Sequence, residues 1–165
     1  MAAMVTVSNR TKVKGDRTPR SMDVYHEKEG IKGSSYCECG AVFRGKRWQN
    51  ASGDQQPEGR KLVCPACRRI ADRTPAGILT LQGDFFTKHE AEINNIVRNT
   101  EQTYYQKNPL AKVMETRKED NGVTITTTDG KLAQKIGREV FKSYRGDLNF
   151  MWSQSEDLVR VAWSR

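Results

Sequence analysis

The chain has 165 residues, with 28 Lys and Arg against 20 Asp and Glu, a formal net charge of +8, and 36% hydrophobic residues. That size suits one ordinary domain or two small ones, and no apolar run approaches the roughly 18 residues of a membrane-spanning helix. Residues 1–20 lack the apolar centre of a secretory signal, so the expectation is a soluble, basic, cytoplasmic protein.

The charge is unevenly placed. Residues 1–35 carry a net +3, residues 36–75 carry +4, and residues 76–165 carry only +1. This reads as a basic arm and a basic module attached to a near-neutral domain. Such a field attracts polyanions, of which phosphate backbones are the commonest in a cell; the alternative is charge that serves solubility alone. In the arm, Arg10, Lys12, Lys14, Arg17 and Arg20 alternate with Thr, Gly, Pro and Ser. With almost no apolar periodicity, residues 1–35 cannot bury enough surface to offset their ordering entropy, and they are expected to be disordered alone. They either order on a partner or form an inert tail. The stretch Met22-Asp-Val-Tyr-His26 offers a contact to the next module or to a partner.

Residues 36–75 form a cysteine module. Cys37-Glu-Cys39 opens it and Cys64-Pro-Ala-Cys67 answers it, with 24 residues between Cys39 and Cys64. Four thiolates in two close pairs supply a tetrahedral ion, and soft sulfur ligands without a redox demand favour Zn²⁺. Gly40 lets the backbone turn away after Cys39, and Pro65 suits a tight knuckle. The competing readings are a redox dithiol at Cys64 and Cys67, for which no βαβ context is present, and free thiols. A site closed by four cysteines leaves no open position for catalysis, so the metal is expected to be structural. Between the pairs, Arg44-Gly-Lys46 forms a turn followed by Arg47 and Trp48, and residues 50–59 read as a solvated connector. Arg44, Lys46, Arg47, Arg60, Lys61, Arg68, Arg69 and Arg73 then converge around the ribbon as candidate phosphate contacts. Trp48 either stacks on a base or packs on the ribbon's own small core.

Residues 76–165 predict an α+β domain. Residues 78–81 form a strand. A helix follows, capped at Asp84 or by a Thr87–Glu90 capping box, with Phe86, His89, Ile93, Ile96, Val97, Thr100 and Tyr104 on one face. It must end before Pro109. Residues 111–116 and 123–127 read as strands joined by a turn at Asp120-Asn-Gly122. Asp129 caps a second helix with Leu132, Ala133, Ile136, Gly137, Val140, Phe141 and Tyr144 inward, and Gly146 stops it. Residues 148–152 and 158–163 close the chain as a hairpin. The order β-α-β-β-α-β(-β) matches a ferredoxin-like sandwich with one extra edge strand.

No phosphate loop, carboxylate pair or nucleophile elbow appears, and a binding module is expected rather than an enzyme. His89 reads as a hydrogen-bonded boundary residue or, less economically, a base. Thr124, Thr126, Thr127 and Thr128 read as strand formers.

The segments Cys39-Gly-Ala-Val-Phe43, Gly45-Lys-Arg-Trp48, Cys64-Pro-Ala-Cys-Arg-Arg-Ile70, Pro75-Ala-Gly77, Phe86, His89, Glu92-Ile93, Asn99 and Glu101 carry a further signal, continued by Pro109-Leu110, Thr126-Thr-Thr-Asp129, Leu132-Ala133, Ile136-Gly137 and Trp163-Ser-Arg165. In this order they resemble a small bacterial family of uncharacterised zinc-ribbon proteins, over about residues 37–165. Cys37-Glu-Cys39 departs from the Cys-X-X-Cys of that pattern. The family is distantly similar to the zinc-ribbon part of the archaeal and eukaryotic adaptor for large-ribosomal-subunit export. The resemblance implies a ribosome or rRNA partner, with a role in dormancy (hibernation), biogenesis or quality control of translation. Ribosomal proteins are possible partners for residues 76–165, and no membrane or small-molecule partner is expected. The alternative is a protein–protein adaptor or transcription-linked regulator without RNA contact.

Overall fold

A computed structural model of the chain describes residues 12–14, 25, 30–51, 53, 58–153 and 157–165. In chain order its elements are β1 (Lys12–Lys14), β2 (Ser35–Tyr36), β3 (Ala41–Arg44), β4 (Arg47–Asn50), β5 (Arg60–Lys61), α1 (Pro65–Asp72), β6 (Gly77–Gln82), α2 (Asp84–Lys88), α3 (Glu90–Lys107), β7 (Val113–Glu119), β8 (Gly122–Thr127), α4 (Gly130–Tyr144), β9 (Asp147–Trp152) and β10 (Val159–Ser164). They form a mixed α+β structure with two sheets, ordered β4-β3-β2-β5 and β1-β9-β10-β6-β8-β7.

Period-two alternation builds the larger sheet. Leu79 and Leu81 of β6, Val123 and Ile125 of β8, Leu148 and Phe150 of β9, and Val159, Val161 and Trp163 of β10 all point to one face. That face meets Ile93 and Val97 of α3 and Leu132, Ala133, Ile136 and Val140 of α4, whose three- and four-residue spacings place them on one stripe. Each such large side chain stabilises the fold by about 1.5–3 kcal/mol when fully buried. The opposite face presents Met151, Arg160, Ala162 and Asn149 to solvent among the described residues. Asp129 accepts from the Lys131 amide at 3.1 Å and caps α4 as expected.

Four expectations need correction. The extra strand is interior. β10 runs parallel to β6 in full register, from Val159 opposite Gly77 to Ser164 opposite Gln82, and pushes β9 one position outward from the place a ferredoxin-like order would give it. Burial explains the choice: Val159, Val161 and Trp163 are at most 3% exposed, and the central slot belongs to the strand with most apolar surface to hide. The long helix breaks at His89, whose φ of −121° is not helical. Neither expected cap forms, because Gly83, at φ +116°, sits at the start of α2 and the Thr87 hydroxyl donates back to the Gly83 carbonyl. The strand expected at 111–116 begins at Val113, after an irregular loop in which the Leu110 amide donates to Asn108 Oδ1 at 3.0 Å. Within the arm, Lys12–Lys14 pairs in parallel with β9, whose edge would otherwise expose unpaired backbone groups. Arg10, Arg17, Arg20 and His26 lie outside the described residues.

β7 closes the far edge, and its pairing with β8 shifts register between Val113 and Glu115. From Glu115 to Glu119 every residue is exposed.

Two outcomes test this packing. A Cβ on Gly137 would meet Val161 Cγ1 at 2.7 Å, so Gly137→Ala should cost about 1–3 kcal/mol in thermal unfolding, despite Ala's better helix propensity. Burial raises the Asp129 carboxyl above its ordinary value. Wild type therefore keeps that contribution below the unfolded-state value and loses it as pH rises through the folded-state one. Asp129→Asn retains the cap, and its stability relative to wild type should rise with pH across that window in denaturant melts.

Candidate metal centre

Two local structures aim four sulfurs at one point. Cys37 follows β2, and a tight turn joins it to β3: the Gly40 amide donates to Cys37 O at 3.0 Å and the Cys37 amide to Ala41 O at 2.8 Å. Gly40 sits at φ +96°, a conformation that a side chain would strain. This turn lets a single residue separate Cys37 and Cys39 while both sulfurs face inward. The second pair is built differently from the loop knuckle the sequence suggests. Cys64 is the N-cap of α1, Pro65 occupies its first turn, and the Cys67 amide donates to Cys64 Sγ at 3.5 Å. Pro just inside a helix start is a readable signal for this helix. The helix N-terminus also directs its partial positive charge toward the sulfurs.

The separations Cys37 Sγ–Cys67 Sγ and Cys39 Sγ–Cys64 Sγ are both 3.7 Å, and all four sulfurs lie within 4.8 Å of one another. A tetrahedral ion with metal–sulfur bonds of about 2.3 Å has sulfur–sulfur edges of about 3.8 Å. A disulfide needs about 2.05 Å. The four thiols are free and fit a metal ion. Cys37 and Cys64 are buried, whereas Cys39 and Cys67 are half-buried.

Protonation differs among Cys37, Cys64 and Cys67. Burial pushes the Cys37 thiol up, yet the backbone amides of Cys39 and Cys64 and the neighbouring sulfurs more than offset it and bring it to about 7. Burial raises Cys67 to about 11 and raises Cys64 further. Of these three, Cys37 is thus the closest to thiolate at neutral pH, and a metal must displace protons from Cys64 and Cys67.

The candidate phosphate contacts separate into groups. Gly45 (φ +57°) and Lys46 (φ +67°) form the two-residue turn of the β3–β4 hairpin, and Arg44 stands directly opposite Arg47. Arg44, Lys46 and Arg47 are exposed together at this tip, as are Arg60 and Arg73 elsewhere on the module. Lys61 is exposed and ion-paired with Glu38. Arg68 is half-buried. Arg69 is a correction: only 5% exposed, it pairs with Asp157 at 3.6 Å, donates to Thr74 O and lies under the Tyr25 ring. It joins α1 to the β9–β10 connection and is not presented to a phosphate. Trp48 packs half-buried against the cysteine cluster and meets Phe43 edge-on at 5.5 Å. For Lys12 and Lys14 the structure places the backbone alone, in β1.

Sequence reasoning missed three residues at the centre. Leu110 packs against the cysteines; burial lowers the Lys112 ammonium, but the Cys39, Cys67 and Cys64 sulfurs more than offset this and raise it; and Asn50 Nδ2 donates to Tyr105 O at 2.8 Å. Leu110 and Lys112 lie in a loop without periodicity, so no local signal marks them. His89 stacks on Phe85 at 4.2 Å and pairs with Glu92 at 2.9 Å, a boundary position.

No helix among the described residues is long and apolar enough to cross a membrane. Neither a family model, a curated protein nor a solved structure matches the chain.

Cys64→Ser separates ligation from capping, because Ser is a good N-cap but a poor soft-metal ligand. Metal analysis should find one ion per wild-type chain and almost none in Cys64→Ser. A metal-free wild type would remove the centre.

Proposed function

We propose that the protein is a cytoplasmic zinc-ribbon protein that binds the ribosome or rRNA, as a dormancy, biogenesis or quality-control factor, and that it is a binding module rather than an enzyme. Zinc is the ion favoured by four sulfur donors with no open position. One observation carries the RNA reading: three cations, Arg44, Lys46 and Arg47, share a single hairpin tip with two arginines directly opposed. Like charges paired across strands destabilise a hairpin in isolation, and Lys46 holds a left-handed backbone that non-glycine residues seldom adopt. A bound phosphate would relieve that repulsion. Arg60 and Arg73 add cations to the same module, and the arm's basic residues extend the field. The protein-adaptor reading has one observation in its favour: among the described residues, Met151 is 49% exposed on the second face of the larger sheet.

Sedimentation with purified ribosomal subunits across a salt series tests the proposal. If six to ten phosphates are neutralised, affinity falls by roughly three to five decades between 50 and 200 mM salt. Arg44→Ala with Arg47→Ala should reduce the slope by about 1.4–1.8 while metal content stays unchanged. A flat salt response transfers the case to the sheet face and a protein partner. Gradients of growing and starved cells then distinguish dormancy from biogenesis by the state in which the protein co-migrates.

A further inference from the structure

A groove of about 540 Å³ runs between α1 and the second face of the larger sheet. Ile70 of α1, its C-cap Arg73, Ile78 of β6, and Met114, Glu115 and Arg117 of β7 line it. Register explains why these groups share one place. Glu115 stands opposite Thr126, Thr126 opposite Ile78, and Ile78 opposite Arg160, a single row across β7, β8, β6 and β10. Arg117, Thr124 and Thr80 form the next row. Directly opposed residues on one face have Cβ atoms about 4.5–5.5 Å apart. Ile125, Leu79 and Val161, the buried residues between them in sequence, face the helices, so both rows face the other way.

Two local irregularities bring further groups to the same groove. β7 shifts register between Val113 and Glu115, and Met114 is the extra residue that the bulge re-aims. Arg73 ends α1 in a left-handed backbone at φ +53°, its amide donating to Ile70 O at 3.2 Å. Glycine is the usual residue at such a helix end, because it has no Cβ to strain there. The chain keeps an arginine instead, and that arginine lines the groove. Among the described residues, Arg73, Arg117 and Glu115 have no ion-pair partner.

The lining selects an occupant. A groove of this volume suits a nucleotide-sized group. Ile70, Ile78 and Met114 offer an apolar floor to the flat face of a base. Guanidiniums clamp phosphates and also stack on bases. A carboxylate beside them repels a phosphate, so its place in the groove is explained by hydrogen-bond donors on the ligand. Guanine presents two parallel donors, N1–H and N2–H, to one carboxylate, whereas uracil presents a single donor. An acidic peptide would satisfy the arginines and be repelled by Glu115. We propose that this groove holds an unpaired guanine nucleotide of an RNA strand, with Glu115 on the base edge, Arg73 and Arg117 on the flanking phosphates, and the base on the apolar floor. The inference rests on the RNA reading above and adds sequence selectivity to it, since phosphate contacts at the Arg44–Arg47 tip position a strand without reading it.

The test is fluorescence anisotropy of the full chain with a labelled short oligouridine strand, with and without one central guanosine. The guanosine strand should bind roughly 5–150-fold more tightly, the range for one bidentate base contact. Glu115→Ala should remove most of that preference without weakening oligouridine. Arg73→Gly suits the left-handed backbone better than arginine does, so it should melt no lower than wild type. Both strands should nevertheless bind it more weakly, with a salt slope about 0.7 smaller. Equal affinity of wild type for the two strands, or a preference that survives Glu115→Ala, overturns the groove assignment; steep salt dependence in the same experiment leaves the RNA reading standing. Guanosine monophosphate that competes as strongly as the strand makes the ligand a free nucleotide and overturns the assignment to RNA. A wild type that binds neither strand overturns the groove as well, and if it also fails to sediment with ribosomal subunits the RNA reading falls with it.

Discussion

The gathering of four sulfurs is the constraint on which the cysteine module depends. Its core cluster is Cys37, Ala41, Cys64 and Ala66, with Trp48 and Leu110 packed against it, and Val42 is buried outside that cluster. Two alanines and two cysteines bury little surface, and a unit this small does not hold itself together by burial alone. An ion held by the four sulfurs would add to this, as in small zinc domains, where apparent binding energies are about 10–16 kcal/mol, and contacts with the larger sheet add further support. The α3/α4 layer faces no such shortage, since Trp163, Phe150, Leu79, Leu81 and Ile136 are essentially inaccessible to solvent. One chain thus contains two ways of making a core.

These two units also divide the electrostatic labour. Nearly all the net charge precedes residue 76, and the structure concentrates part of it at one hairpin tip while withdrawing another part. Arg69 is the withdrawn part. A buried guanidinium needs partners, and Asp157, the Thr74 carbonyl and the Tyr25 ring provide them. Tyr25 reaches α1 a second time, its hydroxyl donating to Asp72 at 2.7 Å. Arg68 beside Arg69 is only half-buried, so adjacent arginines in one sequence run differ in depth by which face of α1 each occupies.

Much of the larger sheet was legible because its residues obey local periods. Alternation marked β6, β8 and β10, the Asp120-Asn121-Gly122 turn marked the β7–β8 hairpin, and Asp129 and Gly146 bracketed α4. The cysteine spacing marked the four-sulfur cluster. Strand order was not legible, because β9 and β10 carry similar patterns and only their relative depth decides which lies beside β6. The break at His89 depends on Gly83 and on the Phe85 amide donating to the Arg165 carbonyl, a contact far away in sequence. Lys112 and Leu110 were invisible for the same reason: nothing around them in the chain refers to cysteines between 43 and 75 positions earlier. Arg69 resembled its neighbours in sequence and differed only in what lay opposite.

The two edges of the larger sheet are finished in different ways. At one end β9 is covered by Lys12–Lys14. At the other, β7 has no further strand beside it among the described residues, and it carries Glu115, Arg117, Lys118 and Glu119 in exposed positions and a register irregularity near its start. A second copy of the chain approaching that rim would have to match alternating charges and a kinked backbone, both of which frustrate strand addition. The sheet is protected from edge-to-edge polymerisation there by its own sequence. The opposite rim relies on a borrowed three-residue strand, so truncation of the N-terminal segment would expose β9 as a template for self-association.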